Sequence, residues 1–219
     1  MQDRSHSGDY ATGGKLGVMN GTLIPYSEKG LEATLYFTSD LHLNHKNIMT
    51  YCPGRERFQD LDHMNTSIVN LLNEVLIDPS NTLFILGDVF MGPKDQFAGF
   101  YARLLNPQNI VLIAGNHDGP KALELFSNKC DEFYLHILRD GKPEIIWMNH
   151  FPVGASVDKR DLFRPKASED YSIALCGHVH DKWQDNGECL NVGLDAWDFK
   201  VLSLGDVLEQ ATKRNLWRD

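Results

Sequence analysis

Seven side chains that can bind metal ions follow the ends of five separate apolar segments in this chain of 219 residues. Short apolar segments of this kind are typical of buried strands. In α/β folds, ligands bind in the crevice beyond the carboxyl ends of the strands, so we expect the seven side chains to converge there. They lie among the donor residues at these ends, which are Asp40, His42, Asp88, Asn116-His117-Asp118, His150, His178 and His180.

The donor atoms of this set indicate which ions it would bind. Imidazole nitrogens together with carboxylate and amide oxygens suit Mn²⁺, Fe or Zn²⁺ better than Ca²⁺, which prefers oxygen alone. Seven ligands are too many for one tetrahedral ion, so we expect two ions that share a carboxylate. The pair His178 and His180 is a strong signal, because residues two apart in an extended segment point the same way. An isolated Asp-x-His or Gly-Asp is more often a turn or a helix cap, so the prediction depends on the combination.

The elements that must position these residues alternate along the chain. Apolar residues at three- and four-residue steps predict a helix over residues 61–76, and a second helix is expected over 94–105. Strands alternating with helices predict an α/β protein with one or two mixed sheets. The predicted strands cover residues 33–39, 82–86, 110–114, 144–148, 171–175, 188–192 and 201–204. Residues 1–30 are expected to form an N-terminal extension or irregular arm, with a short hairpin around Leu16–Ile24, before one domain over 31–219.

Composition and charge exclude several classes of protein. The 30 acidic and 21 basic residues give a net charge of −9, which argues against binding extended nucleic acid through Lys and Arg. No apolar run reaches the roughly 18 residues of a membrane span, and the polar N-terminus lacks the apolar core of a secretory signal. The four cysteines form no Cys-x-x-Cys pair, so we expect a cytoplasmic protein in a reducing environment. The oligomeric state is not indicated.

The order of the motifs resembles the five-motif signature of the calcineurin-like metallophosphoesterases, and in particular their small bacterial and phage members. The motifs are Asp40-x-His42, Gly87-Asp88, Gly115-Asn116-His117-Asp118, His150 and Gly177-His178-x-His180. The resemblance implies a four-layer α/β/β/α sandwich, with two mixed β-sheets flanked by helices, and a site for two metal ions at the sheet edge. The implied ligands are Asp40, His42 and His180 for the first ion, Asn116, His150 and His178 for the second, and Asp88 for both. His117 matches the family's catalytic histidine, and Asp118 the acid that orients it.

Departures from the family's subgroups narrow the function. The Asp-Arg-Gly of the protein serine/threonine phosphatases is missing after Gly87-Asp88, which disfavours a phosphoprotein phosphatase. His117 stands where the hydrolases of the lipid A pathway carry arginine.

The mechanism expected from this resemblance is hydrolysis of a phosphodiester or a nucleotide-type phosphate ester. A hydroxide bridging two divalent ions would attack phosphorus in line, and His117, oriented by Asp118, would protonate the leaving oxygen. Manganese is the expected metal, with iron, nickel and zinc as alternatives. The partner is then a small phosphate ester or nucleotide, with no membrane and no extended nucleic acid. A phosphomonoesterase, a nuclease and a non-catalytic metal-binding scaffold are the alternative functions.

Substrate contacts are less clearly marked in the sequence. His45 follows His42 by three residues and would either touch substrate or lie at the start of a helix near Lys46. Arg55 and Arg57 suit bidentate contact with phosphate, although a charged loop is more often merely solvated. The basic segment Lys159–Lys166 lies between two motifs and would overhang the cleft.

Overall fold

Two five-stranded β-sheets form the centre of the fold in the computed structural model, which describes residues 24–26, 35–153 and 166–218. The strands are β1 (Ile24–Tyr26), β2 (Leu35–Thr38), β3 (Thr82–Ile85), β4 (Ile110–Ile113), β5 (Asn128–Cys130), β6 (Glu132–Arg139), β7 (Lys142–Asn149), β8 (Ile173–Cys176), β9 (Leu190–Asn191) and β10 (Leu202–Ser203). One sheet has the order β10-β2-β3-β4-β5, with β10 antiparallel and the remaining pairs parallel. The other has the order β1-β6-β7-β8-β9, in which β6 and β7 are antiparallel and the other pairs parallel.

The helices are α1 (Ile48–Tyr51), α2 (Leu61–Leu76), α3 (Phe97–Tyr101), α4 (Pro120–Leu123) and α5 (Leu204–Lys213). Short 3₁₀ turns cover Pro53–Arg57, Lys94–Gln96, Pro107–Asn109 and Leu194–Trp197. The longest helix, α2, begins where the Asp60 side chain accepts a hydrogen bond from the backbone N–H of His63. Its buried residues, including Met64, Ile68 and Leu72, pack against the outer face of β3 and β4.

The main core lies between the two sheets because side chains alternate across each strand. Phe37 of β2 and Phe84 of β3 point towards the other sheet and stack with ring centroids 5.3 Å apart. Their neighbours Tyr36 and Leu83 belong to the cluster around α2. Helix α5 contributes its buried face to the inter-sheet core and contacts strands of both sheets. The predicted fold class, an α/β sandwich of two mixed sheets flanked by helices, is confirmed.

Most predicted elements are found, with shifted ends. The helix over 61–76 is confirmed as α2, and the strands at 33–39, 82–86, 110–114, 144–148, 171–175 and 188–192 correspond to β2, β3, β4, β7, β8 and β9. The helix predicted over 94–105 is shorter, because a 3₁₀ turn precedes α3 and the Asn73 side chain bonds the backbone of Arg103 and Leu105. The strand predicted over 201–204 ends at Ser203, whose hydroxyl caps α5.

Three strands of the sheets, β1, β5 and β6, lie outside the predicted set. Strands β6 and β7 form a hairpin whose turn is Asp140-Gly141, both with positive φ (51° and 79°). Strand β1 pairs in parallel with Ile137–Arg139, so part of segment 1–30 joins a sheet. Apart from Ile24 and Lys166, the predicted hairpin around Leu16–Ile24 and the basic segment Lys159–Lys166 lie outside the described residues.

Candidate metal centre

The predicted ligands follow the carboxyl ends of five strands, and the fold brings those ends together. Asp40 and His42 follow β2, Asp88 follows β3, and Asn116 follows β4 in the same parallel arrangement. His150 follows β7 and the pair His178 and His180 follows β8, which lies parallel to β7 in the other sheet. The site therefore lies at a common edge of the two sheets, as predicted for strands that share an edge.

The backbone at these positions is shaped for the site. Positive φ is uncommon outside glycine and costs on the order of 1–3 kcal/mol for each residue, unless the surroundings enforce it. Five of the seven predicted ligands have it: Asp40 (58°), His42 (49°), Asp88 (57°), His178 (72°) and His180 (51°). Because strained backbone conformations are concentrated at residues of this one cluster, we infer that the loops adopt them to place these side chains.

Asp88 lies at the middle of the cluster. Its Oδ2 atom is 3.6 Å from His42 Nε2 and 3.5 Å from His150 Nε2. Its other oxygen, Oδ1, accepts a hydrogen bond from the backbone N–H of His117 at 2.9 Å. One carboxylate oxygen thus faces histidines from both halves of the site, which is the position expected of a bridging ligand.

One half of the site is formed by Asp40, His42 and His180, whose ligand atoms lie within 4.8 Å of one another. His180 Nε2 is 3.9 Å from Asp40 Oδ1, and the rings of His42 and His180 stack at 4.9 Å. The carboxylate of Asp40 is held by the backbone N–H of His178, at 2.9 and 3.1 Å from its two oxygens, and by the Ser39 hydroxyl.

The other half is formed around Asn116. Its Oδ1 atom lies 3.1 Å from His150 Nε2 and 3.0 Å from His178 Nδ1. The opposite ring nitrogen of His150, Nδ1, donates to the backbone carbonyl of Leu86 at 2.7 Å, and this bond leaves the Nε2 lone pair directed at Asp88 and Asn116. Burial opposes charge on His150, but the carboxylates of Asp88 and Asp40 outweigh it and raise its pKa. The same negative charge attracts a cation.

The residues present fit two metal ions. His42 is 2% exposed, and neither of its ring nitrogens has a hydrogen-bond partner in the described part of the chain. Burial, followed by the charges of His180 and Arg55, lowers the pKa of His42 far below its usual range, so the ring is neutral and able to coordinate. Two ligands that are each about 2.1 Å from one ion lie at most about 4.2 Å apart. Three of the separations fall inside that bound: Asp88 Oδ2 is 3.6 Å from His42 Nε2 and 3.5 Å from His150 Nε2, and Asp40 Oδ1 is 3.9 Å from His180 Nε2.

His117 lies at the mouth of the site. Its side chain is 38% exposed, and Nε2 is 4.0 Å from Asp88 Oδ2. Its ring centroid lies 5.4 Å from that of His42. His117 is therefore close to the cluster and open to an incoming molecule.

Asp118 does not orient His117 as predicted. Its Oδ2 accepts hydrogen bonds from the backbone N–H groups of Asp88 (2.7 Å) and Gly115 (2.9 Å), and its Oδ1 accepts one from Val89 (3.0 Å). In this tight turn the carboxylate of Asp118 is directed at backbone N–H groups that have no hydrogen-bond acceptor in a strand. Asp118 consequently fastens the loop after β3 to the loop after β4. Burial, followed by Asp88, raises the pKa of Asp118, although the three amide bonds oppose this shift.

The two arginines predicted as substrate contacts are each paired with an aspartate. Arg55 is fully buried and binds Asp195, with Nε 2.7 Å from Oδ1, so both its assignment to phosphate and the solvated-loop interpretation are wrong. Arg57 pairs with Asp198 at the surface and lies over the ring of Phe199 at 5.0 Å. The burial of Arg55 could not be predicted from the sequence, because it depends on a partner 140 residues away.

His45 is half-buried beside the first half of the site. Its ring lies 5.2 Å from that of His42, and its Nδ1 has no hydrogen-bond partner among the described residues. Burial, followed by the charge of His117, lowers the pKa of His45, which favours the neutral ring. Helix α1 begins three residues later, where the Ile48 N–H bonds the His45 carbonyl. Both predicted roles, substrate contact and helix start, are compatible with this place.

Asp195 also belongs to the site, although it was not among the predicted residues. Its Oδ2 lies 3.0 Å from His180 Nδ1 and 2.9 Å from Arg55 Nη2. Burial opposes its charge, but hydrogen bonds from His180 and Arg55 outweigh that and lower the pKa of Asp195 to about 2. Burial likewise opposes charge on His180, while Asp40 and Asp195 raise the pKa of His180 to about 11.

The chain is similar to one protein-family model and to several known proteins. The sequence model of the calcineurin-like phosphoesterases matches residues 33–185. The gene 66 protein of Mycobacterium phage L5 is 27% identical over 185 residues, which cover 74% of this chain and 86% of the phage protein. An uncharacterized protein of Methanocaldococcus jannaschii is 36% identical over 85 residues, or 38% of this chain and 46% of that protein. The crystal structure of a protein of unknown function from Aquifex aeolicus is 28% identical with a TM-score of 0.61, over 81% of this chain and 99% of that one.

No helix in the described part of the chain has the length and hydrophobicity to cross a bilayer.

Proposed function

Because this chain belongs to the calcineurin-like phosphoesterase family, whose members hydrolyse phosphoric esters with bound metal, we propose that it is a two-metal phosphodiesterase. The observation that carries the proposal is the position of Asp88, whose Oδ2 faces His42 on one side and His150 on the other. The proposed ligands are Asp40, His42 and His180 for the first ion, Asn116, His150 and His178 for the second, and Asp88 for both. Manganese is the proposed metal, since nitrogen and oxygen ligands without sulfur suit it.

Divalent ions bound here would supply an activated water and neutralise charge on phosphoryl oxygens. The chain's own residues provide the rest. Its carboxylates and imidazoles hold the ligand geometry, and the backbone amides that bind Asp88 and Asp118 keep the loops in place. His117, at the open side of the site, donates a proton to the leaving oxygen of the ester. Asn116 presents its amide beside His178 and orients the phosphate.

The charges around the site favour a diester over a monoester. A phosphomonoester is a dianion near neutral pH and gains more than a diester from cationic side chains. Within residues 35–153 and 166–218, Arg55 is paired with Asp195, Arg57 with Asp198, and the lowered pKa of His45 keeps that ring neutral. A monoanionic diester therefore suits these surroundings better than a dianionic monoester.

The experiment that tests this proposal compares bis-p-nitrophenyl phosphate with p-nitrophenyl phosphate. Chelator-stripped protein would be refilled with Mn²⁺, with Asp88→Asn as the inactive control. We expect metal-dependent cleavage that is faster for the diester. Faster cleavage of the monoester would overturn the substrate class, and no cleavage of either ester by protein with two bound ions would overturn the enzymatic function.

A further inference from the structure

A buried ion pair lies directly behind the first half of the metal centre. Arg55 and Asp195 have side chains that are 0% and 1% exposed, and their two contacts, 2.7 Å and 2.9 Å, form a bidentate fork. Breaking such a pair leaves an uncompensated charge in the interior, which is strongly destabilising. A pair with that cost, joining residues 140 positions apart, calls for a reason beyond stability alone.

The pair holds two ligands of the first ion. On one side, Asp195 Oδ2 accepts a hydrogen bond from His180 Nδ1 at 3.0 Å. On the other side, Arg55 donates to the backbone carbonyl of Asp40 from Nη2 at 2.7 Å, and to that of Leu41 from Nη1 at 3.0 Å. In the second half of the site, His150 is held instead by the carbonyl of Leu86. The support of the two halves is thus chemically different.

From this contrast we propose that Asp195 and Arg55 are positioning residues for the first metal ion. Asp195 keeps the proton of His180 on Nδ1, so that the lone pair of Nε2 faces Asp40 and the ion. Arg55 fixes the carboxylate of Asp195 and the backbone that carries Asp40. The inference rests on the two-ion site proposed above, and it assigns the affinity of one ion, and not the other, to this pair.

A third metal site at the same place is a weaker interpretation. Cys52, His180 and Asp195 have ligand atoms within 4.8 Å of one another. Both oxygens of Asp195 already accept from Arg55, however, and the guanidinium charge repels a further cation. The three residues therefore belong to the support of the first ion.

The chain contains a matched control for this test. Arg57 and Asp198 form a second ion pair between the same two segments, three residues or fewer from the first pair. Their side chains are 43% and 82% exposed, and the pair contacts Gly54 and Phe199 rather than a ligand histidine. Asp198→Asn removes the same charge from the same part of the chain without touching the metal centre.

The test is titration of the metal-free full chain with Mn²⁺ by calorimetry, for wild type, Asp195→Asn, Arg55→Lys and Asp198→Asn. We expect two sites in wild type and in Asp198→Asn. In Asp195→Asn one site should weaken by about 10–100-fold, as is typical when the partner of a metal-binding histidine is lost, while the other keeps its affinity. Arg55→Lys should weaken the same site, and excess Mn²⁺ should restore kcat in both variants.

Each other outcome has a defined meaning. Wild-type affinity at both sites of folded Asp195→Asn would overturn the inference, and so would equal weakening of both sites. If Asp195→Asn fails to fold by circular dichroism, Arg55→Lys, which keeps the charge but not the fork, decides on the same criterion. Wild type that binds fewer than two ions would overturn the proposed function itself, independently of the variants.

Discussion

Replacing His117 by alanine separates proton donation from metal binding. The side chain is 38% exposed, so its removal leaves no buried cavity, and the seven metal ligands remain in place. A positioned acid contributes roughly 10²–10⁴-fold to a rate, which corresponds to about 2.7–5.5 kcal/mol of transition-state stabilisation. We expect His117→Ala to lose that factor in kcat with both ions still bound.

The assay uses two diesters with different leaving groups. The p-nitrophenolate ion is stable without a proton, so its ester depends little on an acid, whereas an alkyl ester depends on it strongly. His117→Ala should therefore be far more defective on the alkyl ester than on bis-p-nitrophenyl phosphate. Equal losses on both substrates would show that His117 positions the phosphate instead, and full activity on both would remove it from the mechanism.

Three further predictions follow from contacts around the site and in α5. Gly177→Ala would place a Cβ 1.7 Å from Ser39 Oγ and 2.7 Å from an oxygen of Asp40, so the affinity for Mn²⁺ should fall at least tenfold in a titration. Gly99→Ala, which has open space at its Cβ, is the control and should match wild type. Asp118→Asn leaves at least one of three buried amides without an acceptor and should lower the free energy of unfolding by about 1–3 kcal/mol in urea denaturation, and an unchanged midpoint would contradict this role. Burial opposes the charge of Asp206, but Lys200 and the Ser203 cap outweigh it and lower the pKa of Asp206. The stabilisation from this carboxylate is therefore present above the unfolded pKa of about 3.9 and is lost as pH falls through the lower folded pKa. Asp206→Asn should reduce the melting temperature slightly at pH 7 and leave it unchanged at pH 2.

The convergence of the candidate ligands at one sheet edge could be predicted from the sequence because its signals are local. A polar donor directly after a short apolar run marks a strand end, and the order of β2, β3 and β4 in a parallel sheet brings three such ends to one edge. Helix α2 could also be predicted from the sequence, since its apolar spacing continues without a break to Leu76.

The support of the ligands could not be predicted in the same way. Arg55 and Asp195 lie 140 residues apart and have no pattern of their own, so only the folded chain shows that both are buried. Asp118 was predicted to orient His117 because the two residues are neighbours on the chain. In the structure, the turn directs the Asp118 carboxylate to backbone amides of another loop. The capping box of Ser203 and Asp206 marks the start of α5 in the sequence. This helix was not predicted, because residues 201–204 were interpreted as a strand.

The central claim is that two ions share Asp88, and anomalous diffraction from a crystal grown with Mn²⁺ tests it most directly. The account predicts two anomalous peaks about 3.5–4 Å apart with Asp88 between them, one beside His180 and the other beside Asn116. A single peak, or two peaks of which only one contacts Asp88, would contradict it.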